Sequence, residues 1–123
     1  MSVFKLSFGS IIILHDKLAE VIVNQGVVMN ESRVDEYHNF LLRHLKPPFG
    51  LLVNKKNSYT YTFSAQKIIG SLKEIESIAI LAKTSGGVMS TETLLNINGA
   101  IYKNSKLFQD REEALLWLKK ELA

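Results

Sequence analysis

Residues 47–70 read PPFGLLVNKKNSYTYTFSAQKIIG, and the reading of this stretch decides the fold. Behind Pro47 and Pro48, the run Phe49, Gly50, Leu51, Leu52, Val53 is short, continuous and apolar, which predicts a strand buried on both faces. A polar and aromatic turn follows from Asn54. Ser64 then stands just before a helical pattern in which Ala65, Ile68, Ile69, Leu72 and Ile75 share one face, so Ser64 is expected to be the helix N-cap. Gly70 inside that helix would cost roughly 1 kcal/mol relative to alanine and would let it pack close to a sheet.

Upstream, residues 3–8 alternate, with Phe4, Leu6 and Phe8 on one face and Lys5 and Ser7 on the other, as in a half-buried strand. Gly9 and Ser10 are expected to break it. Residues 11–14 form a β-branched run, and His15, Asp16 and Lys17 predict a hairpin turn into a strand over 18–24. Asn30 is a good N-cap for a helix over 31–45, in which Val34, Tyr37, Leu41, Leu42 and Leu45 recur at helical spacing. Glu31 and Asp35 suit its positive end, and His44 and Lys46 its negative end.

Downstream, residues 78–82 predict a second buried strand. Gly86 and Gly87 open a helical segment over 88–96 that Asn98 and Gly99 end, and a short strand lies within 101–108. Asp110 and Glu113 form a capping-box pattern ahead of Ala114, Leu115, Trp117, Leu118 and Leu122. The expected architecture is α/β: a mixed β-sheet with an N-terminal antiparallel meander followed by βα units, with helices covering the sheet through right-handed crossovers.

Composition narrows the function classes. At 123 residues and 46% hydrophobic content the chain suits one domain over 1–123. Fifteen basic and twelve acidic residues are interspersed, so the net charge of +3 gives no strong call for nucleic acid or anionic membrane. The absence of cysteine excludes disulfides, thiol chemistry and Cys-based metal sites. The apolar run near the N-terminus is far shorter than the ~20 residues of a membrane span, so a soluble, cytoplasmic protein is expected.

The pattern of residues 47–70, the strand ESIAILAK and the ending KLFQDREEALLWLKKEL together resemble the SpoIIAA-like proteins, a bacterial family with the fold of STAS domains. The resemblance spans essentially the whole chain and implies a non-catalytic binding or regulatory module. In the antagonist branch of that fold a serine at the start of the helix after the central strand is phosphorylated, within an Asp-Ser-Ser-Gly type motif, and Ser64 falls near that place. Here the residues are Thr62, Phe63, Ser64 and Ala65, without the Asp, the paired serine or the glycine. The fold transfers on this resemblance; sigma-factor regulation does not.

Asn54, Lys55, Lys56, Asn57, Ser58, Tyr59 and Tyr61 lie where a parallel strand meets a helix, the usual position of ligand sites in open α/β sheets. Lysine charge, amide donors and tyrosine faces there could hold a small anion, an aromatic acyl or nucleotide-like ligand, or a protein partner. The competing reading is that Tyr59, Tyr61 and Phe63 continue the strand, with alternate rings packed on one face. Two lysines are few for a nucleic-acid surface. His15, His38 and His44 have neither an HExxH arrangement nor i, i+4 pairing, no phosphate-loop glycine motif occurs, and no GxSxG elbow supports a serine nucleophile, so no metal, cofactor or catalytic residue is assigned. Two alternatives stay open: a small enzyme using Lys55 or Tyr59 in acid–base work at the same strand ends, and a homodimer joined through the tyrosines.

Overall fold

The computed structural model describes residues 2–84, 86 and 104–123. The chain begins with three antiparallel strands: β1 (Ser2–Leu6), β2 (Gly9–His15) and β3 (Leu18–Val23). Gly9, expected to break a strand, begins β2 instead. A Cβ there would stand 2.1 Å from the Ile22 carbonyl oxygen, so only glycine lets the two backbones approach this closely. Phe8, expected on β1, occupies the turn before Gly9 and is fully buried.

β3 is the strand at which the sheet changes character. It pairs antiparallel with β2 and parallel with β5 (Phe49–Asn54), which pairs parallel with the next strand of the sheet. The full order is β1-β2-β3-β5-β7-β8, with β7 spanning Ile75–Leu81 and β8 Ser105–Phe108. Two further strands, β4 (Val28–Met29) and β6 (Thr60–Tyr61), form a separate parallel pair. They are two residues long and leave no periodicity to detect.

Helices cover both faces. On one, α1 (Glu31–His44) and α2 (Phe63–Ile68) close a core containing Ile11, Val21, Leu51, Ile78 and Ile80. On the other, α3 (Arg111–Glu121) buries Ala114 and Leu118 against Leu18, Leu52, Ala79 and Leu81. Alternation along β5 and β7 thus feeds two cores, which is why both strands read as unbroken apolar runs.

The caps explain most helix boundaries. Asn30 Oδ1 accepts from the Arg33 amide at 3.0 Å, and Asp110 Oδ2 from the Glu113 amide at 3.2 Å, as the sequence predicts. α1 buries Val34, Tyr37, Phe40 and Leu41, whereas Leu42, placed on its apolar face by spacing, is 43% exposed. For α2 the cap is Thr62 rather than Ser64: Thr62 Oγ1 accepts from the Ala65 amide at 3.2 Å. α2 is also shorter than expected. Ser71 donates both its amide and its hydroxyl to the Ile68 carbonyl, ending the helix and leaving Ile75 to begin β7.

The helix expected over 88–96, its Asn98-Gly99 stop, Gly87 and the first residues of the segment 101–108 lie outside the described residues. Among the described residues, no helix is long and apolar enough to cross a membrane.

Candidate functional site

Parallel strands bring their carboxyl ends to one edge, and here Val23, Asn54 and Leu81 mark that edge. The chain leaving β5 carries the seven residues singled out from sequence, and side-chain alternation sends them to different places. Asn54 shares the side of Leu52, toward α3. Its Nδ2 donates to Glu20 Oε2 at 2.9 Å. The Glu20 carboxylate, on β3 and 3% exposed, also receives Arg111 Nη1 at 2.7 Å. Asn54 therefore belongs to a polar clasp joining β3, β5 and α3, a relationship between residues 91 apart that no local pattern announces.

Lys55 shares the opposite side with Val53 and is 9% exposed. Its amide donates to the Leu81 carbonyl at 2.8 Å, which fixes the backbone, and its Nζ lies 5.3 Å from the centre of the Tyr59 ring. Lys56 is exposed. Asn57 donates to the Val23 carbonyl at 2.9 Å, while the Ser58 amide donates to Gln25 Oε1 at 2.8 Å and the Ser58 carbonyl accepts from Gly26 at 2.7 Å. Gly26 adopts φ of 78°, the left-handed conformation that favours glycine. Asn57 and Ser58 thus stitch the turn to the segment after β3.

This stitching turns two tyrosines inward. Tyr59 and Tyr61 pack edge to face with centroids 5.6 Å apart, and the Tyr61 hydroxyl donates to that of Tyr59 at 3.4 Å. Only Tyr61 is in a strand; Tyr59 precedes β6, and Phe63 turns outward, 69% exposed with Lys67 Nζ 4.4 Å from its ring centre. The expected row of three rings on one strand face does not form, because the chain enters α2 immediately after Thr62.

Lys55, Tyr59 and Tyr61 line one cavity with Val21, Val23, Val53, Ile78 and Ile80 from the sheet and Tyr37 from α1. Phe8, Met29 and Ile69 complete the apolar wall. The space open to the centre of a water-sized sphere is about 30 Å³, enough for a small group and far too little for a nucleotide. Its electrostatics follow from burial. Desolvation pulls the Lys55 ammonium below its ordinary pKa. It pushes the phenols of Tyr37 and Tyr61 up, with Tyr61 adding to the effect at Tyr37 and the Tyr59 hydrogen bond opposing it at Tyr61. Tyr37 and Tyr61 therefore stay neutral, and among the described residues that line the cavity none carries a carboxylate.

Ser64 is exposed at the second position of α2 and does not face this cavity's lining set. The histidines are dispersed. His15 accepts from the Lys17 amide, His44 donates to the Phe40 carbonyl, and His38 Nε2 donates to the Ile69 carbonyl at 3.1 Å, its pKa lowered by burial. Among the described residues no group of three His, Asp or Glu side chains could hold a metal ion.

No family model, curated protein or solved structure matches the chain.

Proposed function

We propose that the chain is a non-catalytic binding module of SpoIIAA-like, STAS-like type, and that what it recognises is a small apolar ligand at the strand-to-helix edge. The observation that carries this reading is the cavity beneath the turn 54–64, in which Lys55, Tyr59 and Tyr61 meet the apolar wall of the sheet. Concave apolar sites with a few converging polar groups, at the carboxyl ends of parallel strands, are where α/β domains hold ligands. The mixed sheet with its antiparallel meander supports the STAS-like assignment. Placement of Tyr59 and Tyr61 along an inner wall favours a ligand over a dimer formed through these rings.

Methyl-resolved NMR with a library of small apolar compounds tests the reading. Perturbations gathered on Val21, Val53, Ile78 and Ile80 support it. Perturbations scattered over the surface, or none, count against it.

A second reading is favoured by one specific observation, the lowered pKa of Lys55 inside an apolar cavity. An amine in that setting is available as a base or nucleophile, as in small enzymes that act on carbonyl compounds. Borohydride trapping with a panel of aldehydes and ketones, read by intact mass, tests it: no adduct at Lys55 removes the enzyme reading.

A further inference from the structure

Resting on the cavity reading above, we infer that the segment 56–61 is a strap over this cavity that opens as one unit away from residues 23–29, and that a ligand reaches the site through that opening. The closed space admits water-sized centres over about 30 Å³, so a larger guest has to displace part of the wall. Which part yields follows from how each piece is held.

Most of the described wall is fixed. Val21, Val53, Ile78 and Ile80 stand on β3, β5 and β7, which are paired on both sides within the six-stranded sheet. Phe8 and Met29 are buried, and so is Tyr37 on the fourteen-residue α1. Moving any of these disrupts a packed core. Tyr59 and Tyr61 are different: they are half-buried, and the stretch that carries them lies outside that sheet.

The attachments of this stretch form one row. Asn57 Nδ2 donates to the Val23 carbonyl at 2.9 Å, the Ser58 amide donates to Gln25 Oε1 at 2.8 Å, the Ser58 carbonyl accepts from the Gly26 amide at 2.7 Å, and the Thr60 amide donates to the Val27 carbonyl at 3.0 Å. Their partners are nearly consecutive, so one displacement parts them together. The pairing of β4 with β6 is two residues long, too short to be stable as a sheet on its own. Lys56, Ser58 and Thr60 are exposed, which places the row at the surface, where bonds to water replace the broken ones. Both ends are pinned: the Lys55 amide on the Leu81 carbonyl at 2.8 Å, and Thr62 through its amide on the Met29 carbonyl at 2.9 Å and its cap on Ala65. Because Tyr59 and Tyr61 point inward from this span, lifting it withdraws both rings from the cavity while the sheet stays in place.

Native-state hydrogen exchange on the whole chain tests the strap without a ligand. The amides of Gly26, Ser58 and Thr60 are expected to exchange through one shared opening, with one denaturant dependence, on the order of a hundredfold faster than those of Leu52 and Ile80. Val28 and Thr60 are partners across β4 and β6 and point outward, opposite to Met29 and Tyr61, so Val28→Cys with Thr60→Cys sets a disulfide across the strap in a chain that has no other cysteine. Oxidising that pair is expected to slow the three amides about tenfold or more beyond any change at Leu52 and Ile80. Toluene, followed by NMR at the Val53, Ile78 and Ile80 methyls, is expected to bind the reduced form and to be excluded from the oxidised one. Protection of Gly26, Ser58 and Thr60 equal to that of Leu52 and Ile80 overturns the strap, and so does equal binding of toluene to both forms. Exchange as expected, with the methyls of neither form perturbed by toluene, leaves the strap standing and removes the small-ligand reading. If the double variant does not fold, exchange in the wild-type chain decides the strap alone.

Discussion

The Glu20 carboxylate and the Arg111 guanidinium meet at 2.7 Å beneath the start of α3, with Glu20 only 3% exposed and the Arg111 side chain 37% exposed. The pair is asymmetric, and the asymmetry decides what each substitution does. Arg111→Ala leaves a buried carboxylate with Asn54 as its remaining hydrogen-bond donor. Breaking a fully buried pair in this way costs about 3–5 kcal/mol, and the exposure of Arg111 reduces that to roughly 2–3 kcal/mol. Glu20→Gln keeps the shape and one acceptor, and its cost should be nearer 1 kcal/mol. Replacing both by methionine should recover much of the loss, since an apolar pair needs no solvation. Urea unfolding of the three variants checks the ranking; equal stability of Arg111→Ala and wild type would show that the clasp contributes nothing.

Two hydroxyls near the start of α2 make opposite predictions. Thr62 Oγ1 caps the Ala65 amide, so Thr62→Ala should cost about 1 kcal/mol and Thr62→Ser very little. Ser64, exposed in the first turn, should tolerate alanine within about 0.5 kcal/mol. Thermal unfolding of both alanine variants separates them, and the reverse order would return the cap to Ser64.

Much of the architecture was legible because it rests on local patterns. The alternation of β1, the unbroken apolar runs of β5 and β7, and the Asn30 and Asp110 caps are each fixed by neighbours in sequence. The errors share a cause as well: they arise where a distant partner decides. Gly9 begins a strand because Ile22 lies against it, and α2 stops early because Ser71 takes the Ile68 carbonyl. At the candidate site the segment 54–64 was legible from its excess of polar and aromatic residues. Its division was not. Alternation assigns Asn54 to one face and Lys55 to the other, and Asn57 and Ser58 are consumed by the Val23 carbonyl, the Gln25 side chain and the Gly26 amide, more than 30 residues upstream. The cavity wall was hidden for the same reason, since Val21, Tyr37 and Ile80 read simply as core.

The inward face of α1 gives a third prediction, because spacing alone misplaces one residue. Phe40 is 6% exposed, lies 5.1 Å from the Phe4 ring and stacks on His44 at 4.0 Å, whereas Leu42 is 43% exposed. Phe40→Ala opens a space between α1 and the edge strand and should cost roughly 3–4 kcal/mol. Leu42→Ala should stay within about 0.5 kcal/mol of wild type. Denaturant midpoints compare them directly; a larger loss at Leu42 would mean that the helix is rotated about its axis.

Lys55 supplies a prediction in pH. Burial lowers its pKa in the folded chain below the ordinary 10.5, so its protonated form is disfavoured by folding. Between the lowered folded pKa and 10.5 the unfolded chain binds more protons at this site than the folded chain, and stability at this site therefore rises with pH across that window. Below the folded pKa the penalty is present in full; above 10.5 it is gone. Lys55→Met has no such titration; the attraction of the Tyr59 ring for the ammonium lasts only while Lys55 is protonated and is already contained in its folded-state pKa, so the pH-independent offset is the change in side-chain packing alone. The stability difference between wild type and variant should therefore move in favour of wild type as pH climbs toward 10.5, by no more than about 1.4 kcal/mol per pH unit, since one proton is involved. Paired urea titrations from pH 7 upward read that slope, with every other group cancelling in the difference. Parallel curves over the whole window would mean that the amine is as well solvated in the folded chain as in the unfolded one, and that Lys55 does not lie inside the cavity.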